Sequence, residues 1–533
     1  MNLFKKNSVL LCIFALALAV RLLFLGTFPY GFHEDEIKVG WNAYSILKTG
    51  KDDLGNQFAL YYNTFGDYRP TGIFYLTIPS LIVFGLTQFA VRFPSAFFGA
   101  LTVFPVYFLA LHVQKRKASL RKKAPALFSA LFLAIAPWHV FVSRATSEGI
   151  ICLFFAMCGL CLFVLALEKG KALWFIGSFI SLALSTLFYH MVRPLLPLFV
   201  FTILFYYFQY IAPKSRKYGL IFCIIVSLFS MILLSSKASR GRFNQVAVSK
   251  YQENVLGVHT SKLQLPTEIK NEYVKYLGLD FLTGDSPKPY RYRVFGVGLV
   301  NLAVIVFLFS GIITIAERKT SVLPLFLFLL SPIPAAVTGE DAPNLHRALF
   351  MLPYLVIIAG FGAYYLWKNG FFKRLLFLLL FAVFILSTIS AYITYFSSGA
   401  MDAAPYRNFG ANVVAADILQ YEHDYANIVV SDDPDSLYPW YAFIAKKDPA
   451  SFNAMAIKRI AGDWTYDTIT FTQNKCPSAD VLSNKNLTGK LLVIDSPFCD
   501  ILGTSKAHPT VKLELFPANA PKESQYHFWE RME

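Results

Sequence analysis

The chain has 533 residues, 56% hydrophobic and 15% charged, and its mean hydropathy of +0.48 excludes a soluble protein built around ordinary cores. The membrane is its solvent. The formal net charge of +16 does not signal nucleic acid, because Lys and Arg gather in short loops between apolar runs, where they set orientation.

In chain order, Lys5 and Lys6 precede an apolar run from Val9 to Leu25. No small-x-small cleavage site stands before Thr27, so the run reads as a retained first helix rather than a signal peptide. A polar stretch follows from Thr27 to about Thr71, then an apolar segment, Gly72 to Phe89, broken by Pro79 and Gly85. Spanning runs are expected near Arg92 to Val113, Pro125 to Val142, Ile150 to Leu167, Leu173 to Tyr189, Leu195 to Ile211 and Tyr218 to Leu234. Others follow at Val294 to Ile315, Val322 to Val337, Leu349 to Leu366 and Leu375 to Phe396. With the first helix they give about eleven transmembrane helices.

The status of Gly72 to Phe89 fixes every later loop. If it does not cross, the basic loops at Lys115, Arg116, Lys117, Arg121, Lys122 and Lys123, at Lys214, Arg216 and Lys217, and at Lys368, Lys373 and Arg374 all face the cytoplasm, as the positive-inside rule demands. It is therefore read as an interfacial or re-entrant helix, tolerated where it packs on protein. The predicted architecture is an α-helical polytopic domain, residues 1–396, with a first outer loop at 27–90 and a second at 235–293. The second loop carries excess Lys and Arg, which suits an anionic substrate and equally an ordinary solvated loop.

Residues 397–533 read as a soluble α/β domain, with helices at Ala411 to Leu419 and Pro439 to Ala445 and strands at Asn427 to Ser431 and Leu491 to Asp495. Five of the seven cysteines fall in apolar runs. Cys476 and Cys499 lie in the polar C-terminal part, where an oxidising compartment allows either a disulfide or free thiols.

The chemistry-bearing residues gather at predicted outer helix ends. His33-Glu34-Asp35-Glu36 places three adjacent carboxylates directly after the first membrane helix; such acids repel one another, and one of them suits a base. As a cluster they read equally as solvated loop acids. Gly66-Asp67-Tyr68-Arg69-Pro70 holds Arg69 extended before a proline, with Asp67 placed to orient it, an arrangement that suits a phosphate. Arg144 and Glu148, His190 and Arg193, and His346 with Arg347 lie on the same predicted side. Any one of them alone reads as an interfacial anchor. Together, carboxylates beside several cations suit an anionic, phosphorylated substrate.

This set resembles the polyprenol-phosphate-sugar-dependent glycosyltransferases of the GT-C fold, which include protein O-mannosyltransferases and aminoarabinose transferases. The resemblance rests on Asp35-Glu36 after helix one, on Asp67, Arg69 and Pro70, on Arg92-Phe93-Pro94-Ser95-Ala96, on Arg144 with Glu148, and on His346-Arg347. Related proteins often show Lys at Arg69 and Asp at Glu148. The resemblance implies transfer of one hexose or pentose from a polyprenyl-phosphate carrier to a hydroxyl on a lipid, glycan or protein. Asp35, with Glu36 and Asp67, falls at the catalytic position, while Arg69, Arg144, Glu148, His190, Arg193, His346 and Arg347 fall at substrate-binding ones. No cofactor or metal site is required, although His33 with the acids offers ligands to a divalent cation. It further implies a multi-pass protein of a bacterial plasma membrane, with site and C-terminal domain extracytoplasmic. The competing reading is a transporter or flippase of an anionic or lipid-linked substrate. Transporters place their charges at mid-membrane in broken helices, whereas here they gather at helix ends.

Overall fold

The computed structural model describes residues 2–64, 67–114, 123–250, 253, 263–317, 319–432, 437–457, 462–482, 484, 486–497, 499, 512–513 and 526–531. Gly66, the side chain of Asp67 and the basic residues 115–122 lie outside that description. By compactness the chain divides into two units: Met1–Leu25, Leu60–Ile73 and Arg92–Gly399 form one, and Gly26–Ala59, Phe74–Val91 and Ala400–Glu533 form the other. The stretch 27–90 is thus shared between the two units, and the last segment of the second unit begins at Ala400.

The first unit is helical. Its elements up to the second predicted loop are α1 (Asn2–Leu22), then, after α2 (Glu34–Thr49), which belongs to the other unit, a hairpin of β1 (Tyr61–Thr64) and β2 (Asp67–Pro70). Next in the chain come α3 (Gly72–Phe84), which lies mostly in the other unit, α4 (Gln88–Leu101), which enters the first unit at Arg92, and then α5 (Val103–His112), α6 (Lys123–Ala134), α7 (Pro137–Arg144) and α8 (Glu148–Lys169). They are followed by α9 (Ala172–Ser185), α10 (Val192–Tyr207), α11 (Pro213–Leu234) and α12 (Lys237–Val246). Each expected apolar run contains helix, although the run expected from Val294 becomes helical only at Leu302. Among the described residues six helices are long and apolar enough to cross a membrane, and up to seven if the α6–α7 pair, bent by 48°, counts as one span; about eleven were expected. Pro137 at the start of α7 accounts for the bend, since its ring cannot continue a helix or donate to it. At 13 residues, α3 is about 20 Å long and too short to span alone.

The core of this unit is the helix Met351–Lys368, buried for most of its length and packed on Leu302–Ala316 and α6. Glycine permits that approach. A Cβ on Gly362 would sit 2.0 Å from Phe307 O, and one on Gly311 would sit 2.0 Å from Ile358 O, so only residues lacking a side chain fit where these backbones touch. By contrast, α11 and the helix Phe371–Tyr395 expose rows of Leu, Ile and Phe, the surface expected to meet acyl chains.

In the second unit a six-stranded sheet has the order β4-β5-β3-β6-β8-β7, from β3 (Asn427–Ser431), β4 (Trp464–Tyr466), β5 (Ile469–Thr472), β6 (Leu491–Asp495), β7 (Lys512–Leu513) and β8 (His527–Arg531). β3 runs parallel to both β5 and β6, which is why its residues are almost wholly buried and read as an unbroken apolar run. The stretch Thr27 to Thr71, read from sequence as polar, contains α2. That helix buries Ile37, Trp41 and Ala43 against the helices Tyr438–Ile444 and Pro449–Ala456, and Trp41 Nε1 donates to Asn453 Oδ1 at 3.0 Å.

Cys476 and Cys499 are joined by a disulfide across 23 residues, with their Cα atoms 5.2 Å apart. Closing a loop of that length restricts the unfolded chain, so Cys476→Ser is expected to lower stability by about 2–4 kcal/mol, read as an earlier unfolding midpoint in detergent. No change in midpoint would remove the bridge from the stability account.

Asp417, on the helix Phe409–Tyr421, has its carboxyl pushed up to about 6 by burial. Its Oδ2 is buried with no hydrogen-bond partner among the described residues. Because the folded value lies above that of an unfolded aspartate, about 3.9, the stability tied to its protonation is complete below about pH 4 and is lost as pH rises through 6. Asp417→Asn cannot ionise. It is therefore expected to lose less thermal stability than wild type between about pH 4 and pH 7.5. Parallel pH profiles would refute this.

Candidate active site

Within the second unit, His33 caps the N-terminus of α2, and Glu34, Asp35 and Glu36 occupy its first turn. Carboxylates are stabilised at that position by the aligned peptide dipoles and unpaired N–H groups. His33 Nδ1 accepts the Asp35 N–H at 3.0 Å, and Glu36 returns the contact by accepting the His33 N–H at 3.2 Å, completing a reciprocal cap. The three acids are handled differently. Glu34 pairs with Lys38 one turn on, and Glu36, 2% exposed, forms a buried ion pair with Arg407. The Asp35 side chain keeps 21% of its surface open, with its carboxylate 3.6 Å from His33 Nδ1. That nitrogen already accepts a backbone N–H, so it is no proton donor to Asp35. Of the acids expected to be catalytic, Asp35 is presented to solvent and Glu36 is held in the structure.

The remaining candidates lie in the first unit. Arg69 stands in β2 opposite Tyr62, and Asp67 stands opposite Thr64. Two of the expected substrate-binding residues anchor this hairpin. His190 Nε2 donates to Tyr68 O at 2.8 Å, and Arg193 donates to the Tyr61 hydroxyl at 3.0 Å and to Ser239 of α12. The basic helix α12 packs directly on β2. Arg144, fully buried, donates to Val20 O and Arg21 O at 3.0 Å each, satisfying the last carbonyls of α1, and to the Tyr395 hydroxyl at 3.1 Å. Its guanidinium therefore braces helices. Ser147 caps α8, whose first residue is Glu148. His346 bridges the Ser147 hydroxyl at 2.8 Å and the Tyr189 hydroxyl at 3.1 Å, which fixes the start of that helix.

Arg347 is different. It pairs with Glu340 and donates to Thr338 Oγ1 at 3.0 Å, while Arg242 of α12 approaches the same Glu340 carboxylate at 3.5 Å. Arg242 and Arg347 thus share one carboxylate, and Arg242 is partly exposed. Sequence reading passed over Arg242 as an individual residue, although it belongs to the basic loop noted at 235–293. Arg407 carried no local signal at all. Among the described residues no group of three or more His, Cys, Asp or Glu side chains converges as metal ligands would.

The whole arrangement has structural relatives. It superposes on ArnT from Cupriavidus metallidurans bound to undecaprenyl phosphate with a TM-score of 0.57 at 12% identity, over 98% of each chain. This is the GT-C fold. The archaeal oligosaccharyltransferase AglB from Archaeoglobus fulgidus, in complex with an inhibitory peptide and a dolichol-phosphate, shares the GT-C fold with a TM-score of 0.52 at 14% identity. That likeness covers 83% of this chain and 64% of AglB. Residues 68–235 match the family model for dolichyl-phosphate-mannose-protein mannosyltransferases, a segment of the GT-C chain that holds Arg69, Arg144, Glu148, His190 and Arg193. No curated protein matches the sequence.

Proposed function

We propose that the chain is a membrane glycosyltransferase that moves one sugar from a polyprenyl-phosphate carrier to an extracytoplasmic hydroxyl, with Asp35 as general base. The observation that carries this reading is the end-to-end likeness in fold to a protein bound to undecaprenyl phosphate. It is joined by a family model that names a lipid-phosphate sugar donor. In the proposed reaction the acceptor oxygen attacks the anomeric carbon as its proton passes to the Asp35 carboxylate. The bond from that carbon to the lipid phosphate breaks, and the phosphate leaves with the electron pair. Positive charge builds on the sugar and negative charge on the departing phosphate. Arg69, Arg242 and Arg347 are the cations assigned to the phosphate, because the strand that carries Arg69 packs on α12 and Arg242 of α12 meets Arg347 at Glu340.

The test is to place the purified chain in lipid nanodiscs with a panel of radiolabelled polyprenyl-phosphate sugars and candidate acceptors. Release of lipid phosphate with transfer of label is the expected result; a parallel reaction with chelator reads any need for a divalent cation. A donor that is neither bound nor consumed would refute the proposal. Passage of intact, unreacted donor across sealed vesicles would replace it with transport.

A further inference from the structure

Three acids in one helical turn cannot all face the same solvent without mutual repulsion, and the second unit resolves this from residues far along the chain. Arg407 is fully buried beside Glu36, and its Nε donates to Tyr30 O at 3.1 Å. Asn408, next in sequence, accepts the Glu34 N–H on its Oδ1 at 3.0 Å. Trp440 Nε1 donates to Phe32 O at 2.8 Å, and the Phe32 and Phe443 rings pack with centroids 5.2 Å apart. Gly31 makes the approach possible: it has φ +78, and a Cβ there would lie 2.6 Å from Arg407 O. Tyr30, Phe32, Glu34 and Glu36 are thus each held by residues 407–443, and Glu34 also pairs with Lys38. The buried surroundings of Glu36 make this an oriented grip, because a carboxylate taken out of water needs its cation and its hydrogen bonds in place.

We infer that Arg407 is a positioning residue for Asp35: by neutralising Glu36 and holding the Tyr30 carbonyl, it fixes the first turn of α2 and with it the Asp35 carboxylate. This rests on the reading of Asp35 as the base. It gives residues 400–533 a part in the chemical step itself. No new bond is made or broken by Arg407; it acts by geometry, where misplacement of about 1 Å costs about a hundredfold in rate.

The test uses the full chain in nanodiscs, with Arg407→Ala, Arg407→Lys and Asn408→Gly. The last removes the acceptor for the Glu34 N–H and suits the left-handed backbone at that position, φ 52. Arg407→Ala is expected to lower kcat by about tenfold to a hundredfold with donor KM within about twofold of wild type. Arg407→Lys should recover part of that loss. Hydrogen exchange should quicken at the amides of residues 33–38 while strands Asn427–Ser431 and Leu491–Asp495 keep their protection. Unchanged kcat with either altered or unaltered exchange overturns the inference. So does loss of protection throughout the sheet in both Arg407→Ala and Asn408→Gly, which would mark general unfolding. Should exchange and kcat respond as expected while Asp35→Asn still transfers sugar, the positioning role survives for a different group in that turn and the base assignment falls.

Discussion

Asp35→Asn is expected to reduce sugar transfer by about 10²- to 10⁴-fold while donor binding stays within about twofold of wild type. The amide keeps the size and first-turn position of the side chain but cannot take a proton from the acceptor. Glu36→Gln offers the contrast within the same turn. It leaves the buried guanidinium of Arg407 without its counter-charge, so it should lower stability by about 3–5 kcal/mol. If Asp35→Asn transfers sugar at the wild-type rate in the presence of saturating acceptor, Asp35 is not the base. Measuring phosphate release and donor affinity on the same preparation separates loss of chemistry from loss of binding.

Joint replacement of Arg69 and Arg242 by Ala is expected to raise donor KM by about tenfold to a hundredfold, since a charge-assisted hydrogen bond to phosphate contributes about 1.5–3 kcal/mol. Arg242 enters because it shares Glu340 with Arg347 and is partly exposed on α12, which packs on the strand that carries Arg69. Free polyprenyl phosphate should inhibit the wild type and lose most of its grip on the double variant, and the difference should shrink as salt rises. A KM and an inhibition constant both unchanged by the two substitutions would remove these residues from donor binding. Arg144→Ala serves as the comparison. Its donors serve α1 and Tyr395, so its effect should fall on stability rather than on donor KM.

How much of this was legible depended on whether the controlling contact was local. Strands Asn427–Ser431 and Leu491–Asp495 stand where their unbroken apolar runs predict, because burial on both faces writes itself into consecutive residues. β8, with Arg531 and Glu530 at its end, and the three-residue β4 carry no such pattern. The apolar helices were visible from hydropathy, though among the described residues only six or seven of them are long enough to cross, and helix α2 was hidden by the charges of its first turn. In the candidate site, residue type announced which side chains carry charge, yet not where their donors go. Arg144, Arg193 and His346 are spent on carbonyls and hydroxyls. The partner that distinguishes Glu36 from Asp35 is 371 residues away, beyond the reach of any periodicity.

That separation also has a meaning in time. A ribosome adding about 5–20 residues per second needs about 20–75 s to travel from Glu36 to Arg407. Throughout that interval the segment bearing Asp35 has been made, while Arg407, Asn408 and Trp440, which grip it, have not. The nascent loop must wait without its final partners as the later helices are threaded into the bilayer, so the last quarter of the message acts as a licence for the first. A ribosome that stops short leaves a membrane-inserted chain whose acidic turn was never set.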